Sequence, residues 1–263
     1  MKIITCIKQV PASSNVGVDK ETGVLIRDGN NVKMNPYDLF NLEAAFILKE
    51  SSQEALVHAI SMGPPQALEV LKEALYMGAD EATLISDIKF AGADVLATSY
   101  TLSELIKQLG KYDVIVCGKQ TTDGDTAQVG PEIAEFLKIP HVPYVKEIIK
   151  VEKDKLTLRS GYDDYEEIVA VKLPCLITIE KETNTPRLPS FRRRLLKEDY
   201  QIAIKSLQDL NDKNPKNYGL LGSPTQVEEI FPPEKSSAGE IIKGKKEEVV
   251  ESLINILKER RYL

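Results

Sequence analysis

Short apolar segments alternate with amphipathic segments between Met1 and Ile139, and this alternation restricts the fold more than any other feature of the chain. The apolar segments have the length of buried strands, and the segments between them carry apolar residues at helical spacing. Such an order predicts right-handed βαβ crossovers. We therefore expect an α/β fold with a doubly wound, mostly parallel, Rossmann-like sheet. Its first strands are Met1–Ile7, Ala55–Ser61, Ala82–Ile85 and Asp113–Cys117.

The pattern changes after Ile139, where Val145–Val151, Lys155–Ser160 and Tyr165–Val171 read as strands joined by polar turns. We expect them to be antiparallel additions to the sheet, followed by one more buried strand over Pro174–Glu180. Six prolines interrupt the chain after Glu182, which makes a compact second core implausible there. The prediction is an α/β nucleotide-binding domain over residues 1–185 and an extended C-terminal arm over residues 186–263. The arm ends in an amphipathic helix near Lys245–Arg261.

The composition of the chain limits the kinds of partner and ligand that it can bind. The net charge of −6 argues against general nucleic-acid or anionic-membrane binding, so neither nucleic acid nor membrane insertion is predicted. Met1 is followed by no signal-like apolar region, and no stretch of about 20 apolar residues occurs, which predicts a cytoplasmic location. Cys6, Cys117 and Cys175 form no CxxC or Cys/His cluster, so no metal site is expected.

The stretch Val114–Ile133 runs from a buried strand through a polar, glycine-containing loop into a helix. Ligands of open α/β sheets bind at such strand ends, and the free N–H groups of a helix start attract anions. Asp125 and Gln128 have capping-box spacing, and Pro131 requires the helix to begin between residues 126 and 130. The loop is neither a Walker A motif nor GxGxxG, so phosphate binding and an ordinary connecting loop both remain open.

The doubly wound fold brings this loop close to Lys8–Pro11, Ser61–Pro64 and the helix start at Asn35. Lys8 could offset phosphate charge or be a solvated loop cation. Asp38 could bond a ribose or complete the first turn of the helix that Asn35 caps and Pro36 begins. No nucleophile–base motif such as GxSxG or HExxH is present, so catalytic residues are not predicted, and any redox chemistry must come from a cofactor.

Eight short motifs occur along the chain in a characteristic order: KQVP (8–11), MNPYD (34–38), MGP (62–64), MGAD (77–80), ADVLAT (93–98), DGDTAQVGP (123–131), TPRLPSFRRRLLK (185–197) and GSPT (222–225). By these motifs the chain resembles the β subunit of electron transfer flavoproteins over nearly its whole length. The resemblance implies a heterodimer with a larger α subunit that carries a redox-active FAD. It also implies a second nucleotide in the β subunit itself.

That second nucleotide is AMP in mitochondrial-type members of the family and FAD in electron-bifurcating members. The DGDTAQVGP run resembles the bifurcating type, because Gly124 and Thr126 leave room for a continuing pyrophosphate. By position in the motifs, the resemblance implies three groups of contacts. The adenosine half is near Asn35, Asp38, Ser61, Met62 and Gly63; the phosphates are near Asp123, Gly124, Asp125, Thr126, Gln128 and Val129; the flavin is near Lys8, Gly118, Lys119 and Gln120. Thr98, Cys117 and Gly130 complete the predicted site.

The implied reaction is hydride transfer from NADH to the β-site FAD, followed by separation of the two electrons. One electron passes through the α-subunit FAD to a dehydrogenase acting on an acyl-CoA or hydroxy acid, and the other passes to ferredoxin or flavodoxin. The segment Pro186–Lys197 resembles the family's recognition loop, with Leu188 as the apolar anchor and Pro189 and Arg192 beside it. The arginine run Arg192–Arg194 could steer an acidic partner or be a solvated basic segment.

Three alternatives remain at this stage. The chain could be a non-bifurcating carrier subunit with structural AMP. It could belong to a different class, an adenine-nucleotide-using hydrolase or ligase on a similar sheet, although Lys8–Ser14 lacks the expected Gly/Ser-rich signature. It could also be a nucleotide-sensing interaction protein that uses the arm as its working surface.

Overall fold

A computed structural model describes residues 1–12, 17–18, 25–26, 32–195, 201–228, 239 and 241–263. These residues fall into two units, Met1–Glu228 and Glu229–Leu263, which are described separately. In the first unit the strands are β1 (Lys2–Cys6), β2 (Gln9–Pro11), β3 (Gly17–Val18), β4 (Leu25–Ile26), β5 (Val32–Met34), β6 (Leu56–Met62), β7 (Glu81–Ile85), β8 (Val114–Gly118), β9 (His141–Val151), β10 (Lys155–Gly161), β11 (Glu166–Lys172), β12 (Cys175–Ile179) and β13 (Ile202–Lys205). The helices are α1 (Pro36–Glu50), α2 (Leu68–Met77), α3 (Val95–Gln108), α4 (Val129–Leu137) and the short α5 (Phe191–Leu195).

Nine strands form one sheet in the order β11-β10-β9-β12-β8-β1-β6-β7-β13. β1 pairs in parallel with both β6 and β8, and β12, β7 and β13 continue the parallel region. The predicted doubly wound, mostly parallel sheet is therefore confirmed. Its central strands are buried on both faces, which explains why they read as continuous apolar runs without alternation.

Helices cover the two faces of the sheet in separate layers. α1 and α2 supply Leu42, Phe46 and Leu71 to the core on one face. α3 and α4 supply Leu105 and Ile133 to the core on the other face. This division follows from the crossovers, because α1 and α2 connect strands on one side of β1 whereas α3 returns the chain to the other side.

The predicted additions after Ile139 are present, with one difference in direction. β10 pairs antiparallel with both β9 and β11, as expected. β9 itself pairs in parallel with β12, so it extends the central sheet before the chain reverses into β10. β12 is wholly buried between β8 and β9.

Residues 201–228 pack against the edge of the sheet and against α3. β13 pairs in parallel with β7, and Leu207, Leu210 and Tyr218 are buried against α3 and the sheet. The first compact unit extends to Glu228. One added edge strand and three buried side chains anchor this largely exposed segment without a separate core.

Among the described residues of the second unit there is one helix, α6 (Lys246–Glu259), close to the predicted terminal helix. No residue of this helix is buried, and its apolar side chains Val250, Leu253 and Ile254 are exposed. Within the described residues, no helix combines the length and the apolar character needed to cross a membrane.

Candidate functional site

The carboxyl ends of β1 and β8 lie side by side, with Cys6 in register with Cys117. The chain leaves β1 towards α1 on one face, whereas β8 leads towards α4 on the other face. This is a topological switch point, the position at which open α/β sheets bind their ligands. The structure thus brings together Lys8, which follows β1, and Gly118, which ends β8.

Asn35 joins the two strand ends. Its backbone N–H donates to the Lys8 carbonyl at 2.9 Å, and its side-chain amide donates to the Gln120 carbonyl at 2.9 Å. The amide oxygen accepts from the backbone N–H of Thr122 at 3.3 Å. Asn35 does occupy the N-cap position before Pro36, but its side chain makes no capping hydrogen bond. The predicted capping role is wrong, because the loop after β8 offers this buried amide both a donor and an acceptor.

Lys8 and Asp123 form an ion pair at the rim of the crevice. Lys8 Nζ lies 2.8 Å from each carboxylate oxygen of Asp123, and both side chains are partly exposed. Burial tends to raise the pKa of Asp123, but the hydrogen bond and charge of Lys8 outweigh it, so that this pKa lies below its ordinary value. Lys8 thus places its ammonium group against Asp123 in the loop for which the sequence predicts phosphate binding.

Asp38 lies buried beneath this ion pair. Its carboxylate accepts from the backbone N–H of Lys8 at 2.7 Å and from the side-chain amide of Asn41 at 3.3 Å. Burial is the main cause that raises its pKa to about 7, against the lowering effect of the Lys8 N–H. A Cβ on Gly118 would lie 2.5 Å from the Asp38 carboxylate, so only glycine fits at the end of β8.

The loop after Gly118 is held by hydrogen bonds between its own residues and leads into α4. The side-chain amide of Gln120 bonds to the Asp125 carboxylate, and the Asp125 N–H donates to the Thr121 carbonyl at 2.9 Å. Asp125 and Ala127 have φ of 52° and 56°, a left-handed backbone that non-glycine residues adopt at a cost. A Cβ on Gly124 would meet only Thr121 Oγ1, at 3.6 Å, so there is space above this position.

α4 begins at Val129, inside the predicted interval, and Gln128 is its N-cap. The predicted capping box is wrong, since Asp125 lies in the left-handed loop and Gln128 makes no side-chain capping bond. Within the described residues, no side chain caps this helix start, which leaves backbone donors directed at the crevice. Gly130 allows α4 to approach the sheet, because a Cβ there would lie 2.6 Å from the Thr178 methyl and 3.5 Å from Cys117 Cβ.

The end of β6 supplies the next predicted residues, Ser61, Met62 and Gly63. Ser61 is buried, and its hydroxyl has no hydrogen-bond partner among the described residues. A buried polar atom of this kind costs free energy unless a ligand or water satisfies it. The Gly63 N–H donates to the Ile85 carbonyl at 3.2 Å, which holds the turn after β6 against the end of β7.

Of two further predicted residues, one follows β8 and the other lies near the start of α3. Lys119 pairs with Glu180 at 2.8 Å and lies 4.9 Å from the ring centre of Tyr144, and the Glu180 hydrogen bond raises the pKa of Lys119. Thr98 lies in the first turns of α3, where the neighbouring Ser99 hydroxyl is 3.4 Å from the Val129 carbonyl. Met62, Thr126 and Gln128 are at least partly exposed.

The predicted partner segment is on the surface. Leu188 is 86% exposed, Phe191 74% and Leu195 67%, and Pro189 and Arg192 are exposed as well. Sequence reasoning missed the residues that hold this segment, Glu43 and Arg187, and it missed Asn41 and Thr122 in the crevice. Thr122 could have been found because it lies within the polar loop, but nothing local marks the other three.

Comparison with known proteins gives one consistent family. The model of the electron transfer flavoprotein domain matches residues 22–205. The electron transfer flavoprotein subunit beta of Clostridium acetobutylicum is 45% identical over 263 residues, which cover both chains completely. The caffeyl-CoA reductase-Etf complex subunit CarD of Acetobacterium woodii is 44% identical, also over the whole of both chains. The protein FixA of Azorhizobium caulinodans is 38% identical over 89% of this chain and 85% of its own.

Proposed function

The chain belongs to the electron transfer flavoprotein family as a beta subunit, and from this membership we propose that the crevice between β1 and β8 binds FAD. The observation that carries the proposal is the convergence of Lys8, Asn35 and the uncapped start of α4 on one strand-end crevice. A cation and free backbone N–H groups are the chemistry that holds a pyrophosphate. The unpartnered Ser61 hydroxyl gives a polar contact for the nucleoside half.

FAD is proposed over AMP because of the space in the loop. A Cβ added to Gly124 would meet its nearest neighbour, Thr121 Oγ1, only at 3.6 Å, so the protein leaves room there for a second phosphate and its ribityl extension. The Asp123 and Asp125 carboxylates would repel phosphates, but Lys8 and Gln120 bind them respectively. These carboxylates are then available to hydroxyl groups of the ligand.

The flavin, when bound, supplies the capacity to accept hydride from NADH and to pass its two electrons to different acceptors, ferredoxin or flavodoxin and a partner dehydrogenase. The chain's own residues bind the cofactor and orient it in the crevice. Lys8 and the start of α4 compensate phosphate charge, and Asn35 fixes the loop after β8 against the loop after β1. Lys119, held by Glu180 over Tyr144, places a positive charge next to the proposed flavin side of the crevice. No residue is assigned a proton-transfer step.

Two partners complete the proposal. The first is an electron transfer flavoprotein alpha subunit, contacted by the arm and by α6, whose apolar side chains Val250, Leu253 and Ile254 are exposed. The second is a flavin-dependent dehydrogenase of the acyl-CoA or hydroxy-acid type, contacted through Leu188. The name of the Acetobacterium woodii relative, a subunit of a caffeyl-CoA reductase-Etf complex, supports the acyl-CoA class.

The experiment that tests this function is nucleotide analysis of the heterodimer purified with its alpha subunit. One sample is reconstituted with excess FAD and a matched sample is not, and the nucleotides are separated by chromatography after denaturation. Two FAD and no AMP per reconstituted heterodimer is the expected result. One FAD with one AMP in both samples would contradict FAD binding in this crevice and leave a carrier with structural AMP.

NADH oxidation provides the second half of the test. The reconstituted heterodimer should reduce ferredoxin with NADH only when a dehydrogenase and its acyl-CoA substrate are both present. Reduction of ferredoxin without the dehydrogenase would contradict coupled transfer to two acceptors. The absence of flavin reduction by NADH would contradict the proposed donor.

A further inference from the structure

Arg187 immediately precedes the exposed Leu188 and binds α1 through its whole guanidinium group. Its Nε and Nη2 donate to the two carboxylate oxygens of Glu43, each at 2.8 Å. Its backbone N–H also donates to Glu43, at 3.0 Å, and its Nη1 donates to Glu50 at 2.8 Å. The guanidinium lies 4.7 Å from the ring centre of Phe46. One arginine therefore fixes both its own backbone and its side chain to three residues of one helix.

The burial of Glu43 makes this contact strong and specific. The Glu43 side chain is 9% exposed, whereas that of Arg187 is 35% exposed. Burial tends to raise the pKa of Glu43, but the hydrogen bonds and charge of Arg187 lower it below its ordinary value. Bidentate arginine–carboxylate pairs fix geometry as well as charge.

A second group of contacts holds the chain just beyond Leu188. The Ser190 N–H donates to the Tyr76 carbonyl at 2.9 Å. Arg193 Nη1 donates to the carbonyls of Leu75 and Ala79, at 3.0 and 3.1 Å. These carbonyls belong to the end of α2 and the turn after it, where a helix leaves such groups without internal partners. The segment is thus attached to α1 before Leu188 and to α2 after it.

We propose that Arg187 is a positioning residue for partner recognition: by binding Glu43 and Glu50 it holds Leu188 in the exposed orientation in which it enters an apolar pocket of the dehydrogenase. This inference rests on the proposed docking role of Leu188. The physical reason is preorganisation, because a side chain already fixed in its bound orientation loses less conformational freedom on association. Leu188 itself is largely exposed, so its orientation depends on the residues on either side.

The test compares Arg187→Ala and Arg187→Lys with wild type as heterodimers. The assay uses an acyl-CoA dehydrogenase that the wild-type heterodimer reduces, with crotonyl-CoA as acceptor and the heterodimer concentration varied. For Arg187→Ala we expect the KM for the heterodimer to rise about tenfold with kcat unchanged. Arg187→Lys should give a smaller rise, since lysine keeps the charge without the bidentate geometry. Arg159→Ala is the matched control, because Arg159 also pairs with two glutamates, Glu147 and Glu166, but lies on β10 between β9 and β11.

Hydrogen exchange gives a readout that is independent of the partner. The amides of residue 187 and Ser190, which bond to Glu43 and to the Tyr76 carbonyl, should exchange faster in Arg187→Ala than in wild type, while NADH reduction of the bound flavin stays the same. A wild-type KM, or an increased KM with unchanged exchange of these amides, would overturn the positioning role. Because removing Arg187 leaves Glu43 buried and unpaired, Glu43→Gln provides a second variant should Arg187→Ala not fold. Glu43→Gln should show the same rise in KM and the same faster amide exchange, each smaller than in Arg187→Ala.

The Leu188→Ala variant distinguishes two failures: that of the positioning role of Arg187, and that of the docking role of Leu188 on which it rests. A raised KM for Leu188→Ala together with a wild-type KM for Arg187→Ala would reject the positioning role alone. A wild-type KM for Leu188→Ala would reject docking through Leu188 and the positioning role with it.

Discussion

Lys8 and Asp38 are joined through the backbone, because the Lys8 N–H donates to a buried Asp38 carboxylate oxygen at 2.7 Å. The same lysine extends its side chain to Asp123 at the rim of the crevice. A buried carboxyl group therefore holds the backbone of the residue whose ammonium group pairs with Asp123 in the proposed binding crevice. The charge at the site depends on a buried group that titrates near neutral pH.

Asp38→Asn should flatten the dependence of stability on pH. The pKa of Asp38 is raised by burial from 3.8 to about 7, so below pH 3.8 the carboxyl is protonated in the folded and unfolded chain alike. Between these values only the unfolded chain is ionised, and rising pH therefore lowers the free energy of unfolding, by at most about 4 kcal/mol at about 1.4 kcal/mol per pH unit. Above about pH 7 the loss is complete.

Urea denaturation of wild type and Asp38→Asn at about pH 4, 6 and 8 measures this effect. Asparagine can still accept from the Lys8 N–H, so the variant should fold. Asp163→Asn, at an exposed position, is the control and should keep the wild-type slope. Equal slopes for Asp38→Asn and wild type would show that Asp38 does not titrate as the structure indicates.

Gly118→Ala should destabilise the protein and reduce nucleotide binding together. The added methyl group would lie 2.5 Å from Asp38 Oδ1 and 3.1 Å from Tyr37 Cβ, so that the end of β8 or the start of α1 must move. Overpacking of this kind costs about 1–3 kcal/mol. Gly124→Ala is the matched control for folding, since its methyl group would meet only Thr121 Oγ1, at 3.6 Å. A thermal unfolding temperature that is lowered equally in both variants would contradict the close packing at Gly118.

Lys8→Gln should weaken nucleotide binding by about ten- to a hundredfold, the effect of losing one charged hydrogen bond. The change removes the cation that offsets Asp123, so the remaining carboxylates repel the phosphates. Titration calorimetry with FAD at low and high salt measures the loss, and the salt dependence of affinity should fall as well. Lys72→Gln, where the lysine pairs with Glu69 on the surface of α2, should bind like wild type. Wild-type affinity for Lys8→Gln would place the phosphates away from this residue.

Leu188→Ala should raise the KM of the dehydrogenase reaction by about tenfold or more, because a largely exposed apolar anchor contributes energy only when a partner buries it. Its stability should be unchanged for the same reason. Leu221→Ala is the control, at a side chain 73% exposed on another part of the surface. Steady-state kinetics with heterodimer concentration varied provide the measurement. If Leu188→Ala and Leu221→Ala raise KM equally, the effect is not specific to this segment.

Much of the site could be predicted because local signals specify it. A short apolar run that ends in Gly118 and a proline at residue 131 limit where β8 can end and where α4 can begin, whatever the rest of the chain does. The direction of β9 could not be predicted in the same way. Its parallel pairing with β12 depends on which strand lies beside it, and a strand's own residues do not specify its neighbour.

The sequence by itself determined the alternating elements and the polar loop after β8, because each depends on residues close in the chain. The tertiary structure alone decided the partners of Asn35 and Arg187. Asn35 could have capped its own helix, but the sheet order brings Gln120 and Thr122 within reach of its amide. Arg187 finds Glu43 across 144 positions of sequence. A side chain bonds to whatever group the fold places beside it, and residues distant in the chain become neighbours only when the sheet forms.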